Sequence, residues 1–98
     1  MKELTKEQEA TLLQSIEVYG KKYQYGKVIE ELSELVIEVA NCIQGKFDYD
    51  KMVDEIADVE IVLKHLKNMK QINDIHVQVR KDFKIERLQK RINKLMLT

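Results

Sequence analysis

Apolar residues recur at intervals of three and four along four stretches of the chain, the period of helices that each bury one face. Thr5 followed by Gln8 reads as a capping box opening the first helix. Its apolar positions Leu12, Leu13 and Ile16 run toward Tyr19 and stop at Gly20. The stretch from Gly20 to Gly26 reads as a junction. A second helix is predicted from about Tyr25 to Gln44, with Gly45 as its stop. Asp48 or Asp50 then caps a third helix, which continues through Met52, Ile56, Val59, Leu63 and Leu66. The fourth runs from about Asn73 to Leu95 and carries Ile75, Val79, Phe83, Leu88, Ile92 and Leu95. Ile75, Val77 and Val79 alternate with His76 and Gln78 as a strand would, but no second strand exists to pair with them, so helix is the reading there too.

Composition supports an all-α chain. There is no proline and there are only three glycines, too few turn formers for a sandwich or barrel, while 44% hydrophobic residues are too many for a disordered linker. At 98 residues the chain is a single domain, 1–98, that buries roughly 60–65% of the surface of its unfolded form. Short links between consecutive helices favour antiparallel neighbours. The expectation is a compact four-helix bundle, completed by oligomerisation as a homodimer or homotetramer.

Seventeen basic and seventeen acidic residues cancel, which argues against a nucleic-acid polymer as partner. The zero hides segregation: acids crowd the second and third helices, whereas Arg80 to Lys94 is strongly basic. Cys42 is the only cysteine, so no intrachain disulfide forms and a reducing compartment is expected. No apolar run approaches the roughly 18 residues of a membrane span, and Lys2, Glu3, Lys6, Glu7 and Glu9 stand where a signal peptide is apolar. A cytoplasmic protein without membrane contact is expected.

The chemistry lies in the placement of the acids. At about 100° per residue, Glu30, Glu31, Glu34 and Glu38 fall within an arc of about 100°, and Val28, Leu32, Leu35, Val36, Val39 and Ile43 fill the other side. Asp54, Glu55 and Asp58 fall within a similar arc of the third helix, with Met52, Ile56, Val59 and Leu63 opposite or beside them. A solvated helix face usually pairs Glu with Lys or Arg one turn away, yet no basic residue occurs between Glu30 and Glu38. Glu31-x-x-Glu34 and Glu55-x-x-Asp58, on adjacent antiparallel helices, bring four carboxylates together. That hard oxygen set suits Mg²⁺, or Mn²⁺, rather than zinc. A di-iron bundle requires Glu-x-x-His motifs. Val62 and Asn73 stand three residues before His65 and His76, which removes that reading.

The run from Lys27 through Glu30, Glu31 and Glu34, followed by Asp54, Glu55 and Asp58, resembles the paired acidic signature of the MazG-like all-alpha nucleoside triphosphate pyrophosphohydrolases. The likeness covers about Gln24 to Leu66. It implies a helical oligomer that cleaves a nucleoside triphosphate to monophosphate and pyrophosphate. Carried over by position, Glu31, Glu34, Glu55 and Asp58 hold Mg²⁺, and Glu31 or Glu34 accepts the proton of the attacking water. Glu30, Glu38 and Asp54 either support those ligands, hold a further ion, or are ordinary solvated acids.

Lys27, one turn before Glu31, matches a basic position of the family and is a candidate phosphate contact. Lys84, Arg87 and Arg91 share a face of the fourth helix, with Lys84 or Arg87 as candidates for the β- or γ-phosphate across a dimer interface. Gln24, Tyr19, Tyr23 and Tyr25 are placed to meet a base or simply to pack a helix junction. His65 reads as a surface or capping residue and Cys42 as a small core residue. Val59, Glu60, Ile61 and Val62 follow Asp58 where phosphoribosyl-ATP pyrophosphohydrolases carry a Tyr-His pair, which makes that activity the runner-up. The dimeric dUTPases, being larger with duplicated motifs, fit less well. A helical interaction module, or a nucleotide-binding subunit without turnover, is the non-enzymatic alternative.

Overall fold

Thr5 opens the first helix by reciprocal capping. Its Oγ1 accepts from the Gln8 N–H at 3.1 Å, and Gln8 Oε1 accepts from the Thr5 N–H at 2.9 Å. A computed structural model describes residues 3–97. The elements are α1 (Lys6–Tyr19), α2 (Lys21–Ile43), α3 (Tyr49–Lys70) and α4 (Asp74–Met96), and no strand occurs among the described residues. The chain is all-α, and the alternating segment around Val77 is helical. No helix of the described residues is long and apolar enough to cross a membrane.

The expected junction from Gly20 to Gly26 contracts to Gly20 alone. At φ 89° this residue turns the chain where an L side chain would be strained, so a single position suffices and α2 starts at Lys21 with Gly26 inside it. Asp48, not Asp50, caps α3, its Oδ1 accepting from the Lys51 N–H at 3.1 Å. Asn73 caps α4 through the Ile75 N–H at 2.8 Å.

α2 and α3 form the principal packed pair, and α1 lies against both. Their core is small: Val28, Val59, Val62 and Met69 are the buried hydrophobic residues among those described. The face of α2 turned inward carries Gln24, Val28 and Glu31. Leu32, Val36, Val39 and Ile43, expected to fill the core, face solvent, with Val36 66% and Ile43 85% exposed. Cys42, expected in the core, is likewise an exposed free thiol. The helical period identifies which residues share a stripe, but not which stripe the neighbouring helix covers.

The compact four-helix bundle does not form within one chain. α4 packs along none of the other helices. Its first turn is tied to α3 by Lys67 Nζ and Asp74 Oδ1 at 2.9 Å, and the hydrogen bond from Lys67 holds the Asp74 carboxyl below its ordinary range. Along the helix Ile75, Val79, Phe83, Ile85, Leu88 and Ile92 are exposed. The radius of gyration is accordingly 17.0 Å, against about 13 Å for a compact chain of this length. An amphipathic period shows that a helix has a face to cover without specifying which surface covers it.

Candidate metal centre

Glu31 and Glu34 stand one turn apart on the inner side of α2, and Glu55 and Asp58 one turn apart on α3. Antiparallel pairing sets Glu31 against Asp58 and Glu34 against Glu55. One oxygen from each of the four carboxylates lies within 4.8 Å of the other three. Opposite ligands of an octahedral Mg²⁺ are about 4.2 Å apart, so small rotations of these side chains bring the set to ligating distance.

The electrostatics are those of an incompletely balanced site. Glu31 is 8% exposed. Burial pushes its carboxyl above the ordinary range, and the charges of Glu34 and Asp58 push it the same way. Burial likewise raises Glu55, followed by the charges of Asp58 and Glu31. Glu31 Oε2 and Glu55 Oε2 are buried without a hydrogen-bond partner. Orphaned carboxylate oxygens at the centre of like charges fit a bound hard cation, which would satisfy both.

Lys27 supplies a partial counter-charge. Its Nζ lies 3.3 Å from Glu30 Oε1 and 3.5 Å from Glu31 Oε1, and the Glu30 hydrogen bond raises its pKa. Beyond Lys27 the cluster opens into a cleft of about 240 Å³ between α1, α2 and α3. Gln24, 2% exposed, forms part of its wall, with Nε2 donating to Ser15 Oγ at 2.8 Å and to the Ser15 carbonyl at 3.3 Å. His65, 5% exposed, faces the same space, with its ring nitrogens buried and the Leu12 backbone nearby. Burial pushes the imidazole below its ordinary pKa. Tyr19 and Tyr23 stack on one another at 4.9 Å and line one side.

The structure thus brings together Glu31, Glu34, Glu55 and Asp58, with Lys27 and Gln24 beside them. Glu38 is half-buried and close enough to raise Glu55. Glu30 faces outward on Lys27, and Asp54 is exposed outside the cluster. Lys84 and Arg87 are not at the site of their own chain, because α4 packs on neither α2 nor α3. Arg87 lies over the Phe83 ring instead, 5.7 Å from its centroid. Tyr25 meets Lys70 at 5.6 Å, away from the cleft.

His65 and Ser15 are the residues that sequence reasoning missed. His65 was expected at the surface, yet the antiparallel register that pairs Glu31 with Asp58, carried two turns toward the start of α2, sets Gln24 opposite His65. The sequence held that signal for His65. For Ser15 it held none, since nothing in the period of α1 fixes its rotation against α2. Comparison of the chain with protein-family models, curated proteins and solved structures finds no match.

Proposed function

We propose that this chain hydrolyses a nucleoside triphosphate to a nucleoside monophosphate and pyrophosphate, using Mg²⁺ held by Glu31, Glu34, Glu55 and Asp58. The observation that carries the reading is the four-carboxylate cluster with the buried, unpartnered oxygens of Glu31 and Glu55. The paired acidic motifs of α2 and α3 point the same way. Bound there, Mg²⁺ neutralises triphosphate charge and orients the attacking water.

The residues of the chain take the remaining roles. Glu31 or Glu34 accepts the proton as the water oxygen bonds to the α-phosphorus, and the bond from that phosphorus to the bridging oxygen breaks to release pyrophosphate. A carboxyl whose pKa is raised by burial is better matched to that proton than an ordinary surface acid. Lys27, beside the acids at the cleft wall, contacts a phosphate oxygen. The Tyr19 and Tyr23 rings offer an apolar surface to the nucleoside, and the His65 ring in the cleft wall offers it a polar contact. The exposed thiol of Cys42 is in keeping with a reducing cytoplasmic setting.

The test is to incubate the protein with each NTP and dNTP, and with phosphoribosyl-ATP, in Mg²⁺ or Mn²⁺ and to resolve the products. Monophosphate and pyrophosphate from at least one substrate, lost in Glu34→Ala and Asp58→Ala, is the expected result. Binding of a non-hydrolysable triphosphate without turnover of any substrate overturns the enzymatic reading in favour of a nucleotide-binding subunit.

A further inference from the structure

The cleft beside the acids changes character along its length. In the antiparallel register Glu31 faces Asp58 at one end, Lys27 stands level with Val62 one turn further, and Gln24 level with His65 two turns further. The run therefore passes from carboxylates to a cation, to an apolar floor of Ile61 and Val62, and then to a polar end wall. Two turns of α2 separate its ends, about 10.5 Å. α1 covers the far end: Ser15 lines it, and the Leu12 backbone lies near the His65 ring.

That end wall is fixed. Gln24 is buried, and its Nε2 donates to Ser15 Oγ at 2.8 Å and to the Ser15 carbonyl at 3.3 Å. Two bonds from one amide nitrogen hold the side chain in place, so it cannot swing aside without losing both. His65, also buried, closes the α3 side. The rings of Tyr19 and Tyr23 along the flank are exposed, and stacking on them is open to any base, since every base has a π-face. Selection therefore falls to the length of the cleft. Its volume of about 240 Å³ is below the roughly 300–1,000 Å³ of sites for drug-sized ligands. A cation at the carboxylates, with ligands about 2.1 Å away on either side, takes up part of the two-turn span.

We infer, resting on the nucleotide reading above, that this cleft selects pyrimidine over purine nucleotides, and that Gln24, tied to Ser15 and flanked by His65, is the stop that decides between them. With the phosphates at Glu31 and Lys27, the sugar lies over Ile61 and Val62 and the base points at the end wall. A single ring fills the remaining length, and the second ring of a purine meets Gln24. The polar atoms of Gln24 and Ser15 also suit the heteroatom edge of a base.

Calorimetric titration of the full chain with the α,β-imido analogues of UTP, CTP, ATP and GTP, each with Mg²⁺, tests the inference. Both pyrimidine analogues should bind at least about tenfold more tightly than both purine analogues. Gln24→Ala shortens the stop and should remove most of that preference, a ratio that does not depend on how much of the variant is folded. Ser15→Leu extends the wall into the cleft and should weaken the pyrimidine analogues too, while Mg²⁺ still raises its Tm because the carboxylates are untouched. Purine analogues bound as tightly as pyrimidine ones overturn the inference. So does a preference that survives Gln24→Ala unchanged, or a chain that binds none of the four. Turnover separates this from the hydrolase reading: equal hydrolysis of all nucleotides keeps the hydrolase and overturns the selection, whereas pyrimidine-selective binding without turnover does the reverse.

Discussion

Lys27 Nζ lies 3.5 Å from Glu31 Oε1, while Glu31 Oε2, on the same carboxylate, is buried without any partner. One oxygen is thus balanced from within the chain and the other is left for a ligand. Added Mg²⁺ should raise the Tm of the protein. At about a hundred times its dissociation constant the stabilisation is about 2.7 kcal/mol, a shift of roughly 10–20 °C for a chain of this size. Glu31→Gln and Asp58→Asn should abolish that shift in a scanning melt, and a parent whose Tm ignores both Mg²⁺ and Mn²⁺ would refute the metal centre.

The same buried carboxyls predict how metal-free stability varies with pH. Glu31 and Glu55 have pKa values raised above the ordinary 4.5. Between 4.5 and the raised values the folded state binds more protons than the unfolded one, so their stabilisation is complete below 4.5 and is lost as pH rises through the folded values. Glu31→Gln should therefore melt about 2–5 °C above the parent at pH 7 without metal, with the gap closing near pH 4. Melts at a series of pH values in a chelator read it directly.

His65 acts in the opposite direction. Burial lowers its pKa below the ordinary 6.5, so the unfolded chain binds the extra proton in the window beneath that value. Stability is complete above 6.5 and falls as pH drops toward the folded pKa. His65→Phe keeps an aromatic ring, removes the two buried ring nitrogens and should be equal to or more stable than the parent. Its advantage should grow between about pH 7 and pH 5, as measured by urea titration. A constant advantage across that range would show that His65 does not titrate with folding.

Gln24 holds α1 to α2 through its two contacts with Ser15. Gln24→Ala removes two hydrogen bonds to the half-buried Ser15, at about 0.5–1.5 kcal/mol each, and should cost about 1–3 kcal/mol in denaturant unfolding. Ser15→Ala keeps the bond to the Ser15 carbonyl and should cost less.

In the small core, Met69→Ala should cost about 2–5 kcal/mol, whereas Asp48→Ala, which only removes the α3 cap, should cost about 0.5–2 kcal/mol. Equal effects would mean that Met69 is not packed in the core.

Four helices, the Thr5 capping box and the two acidic pairs, Glu31 with Glu34 and Glu55 with Asp58, were legible in the sequence alone, because each depends on local spacing. Caps span three residues, and Glu31-x-x-Glu34 fixes its face through the turn of one helix. What local spacing could not decide was rotation and company. Tertiary packing turned Glu31 and Gln24 inward and left Val36 and Ile43 outward, buried His65, exposed Cys42, and held Lys84 and Arg87 away from the acids of their own chain. A helix with an acidic stripe beside an apolar one can dock by either, and the period is identical in both cases. The choice belongs to the free energy of the whole packed assembly, to which residues far apart in sequence contribute together.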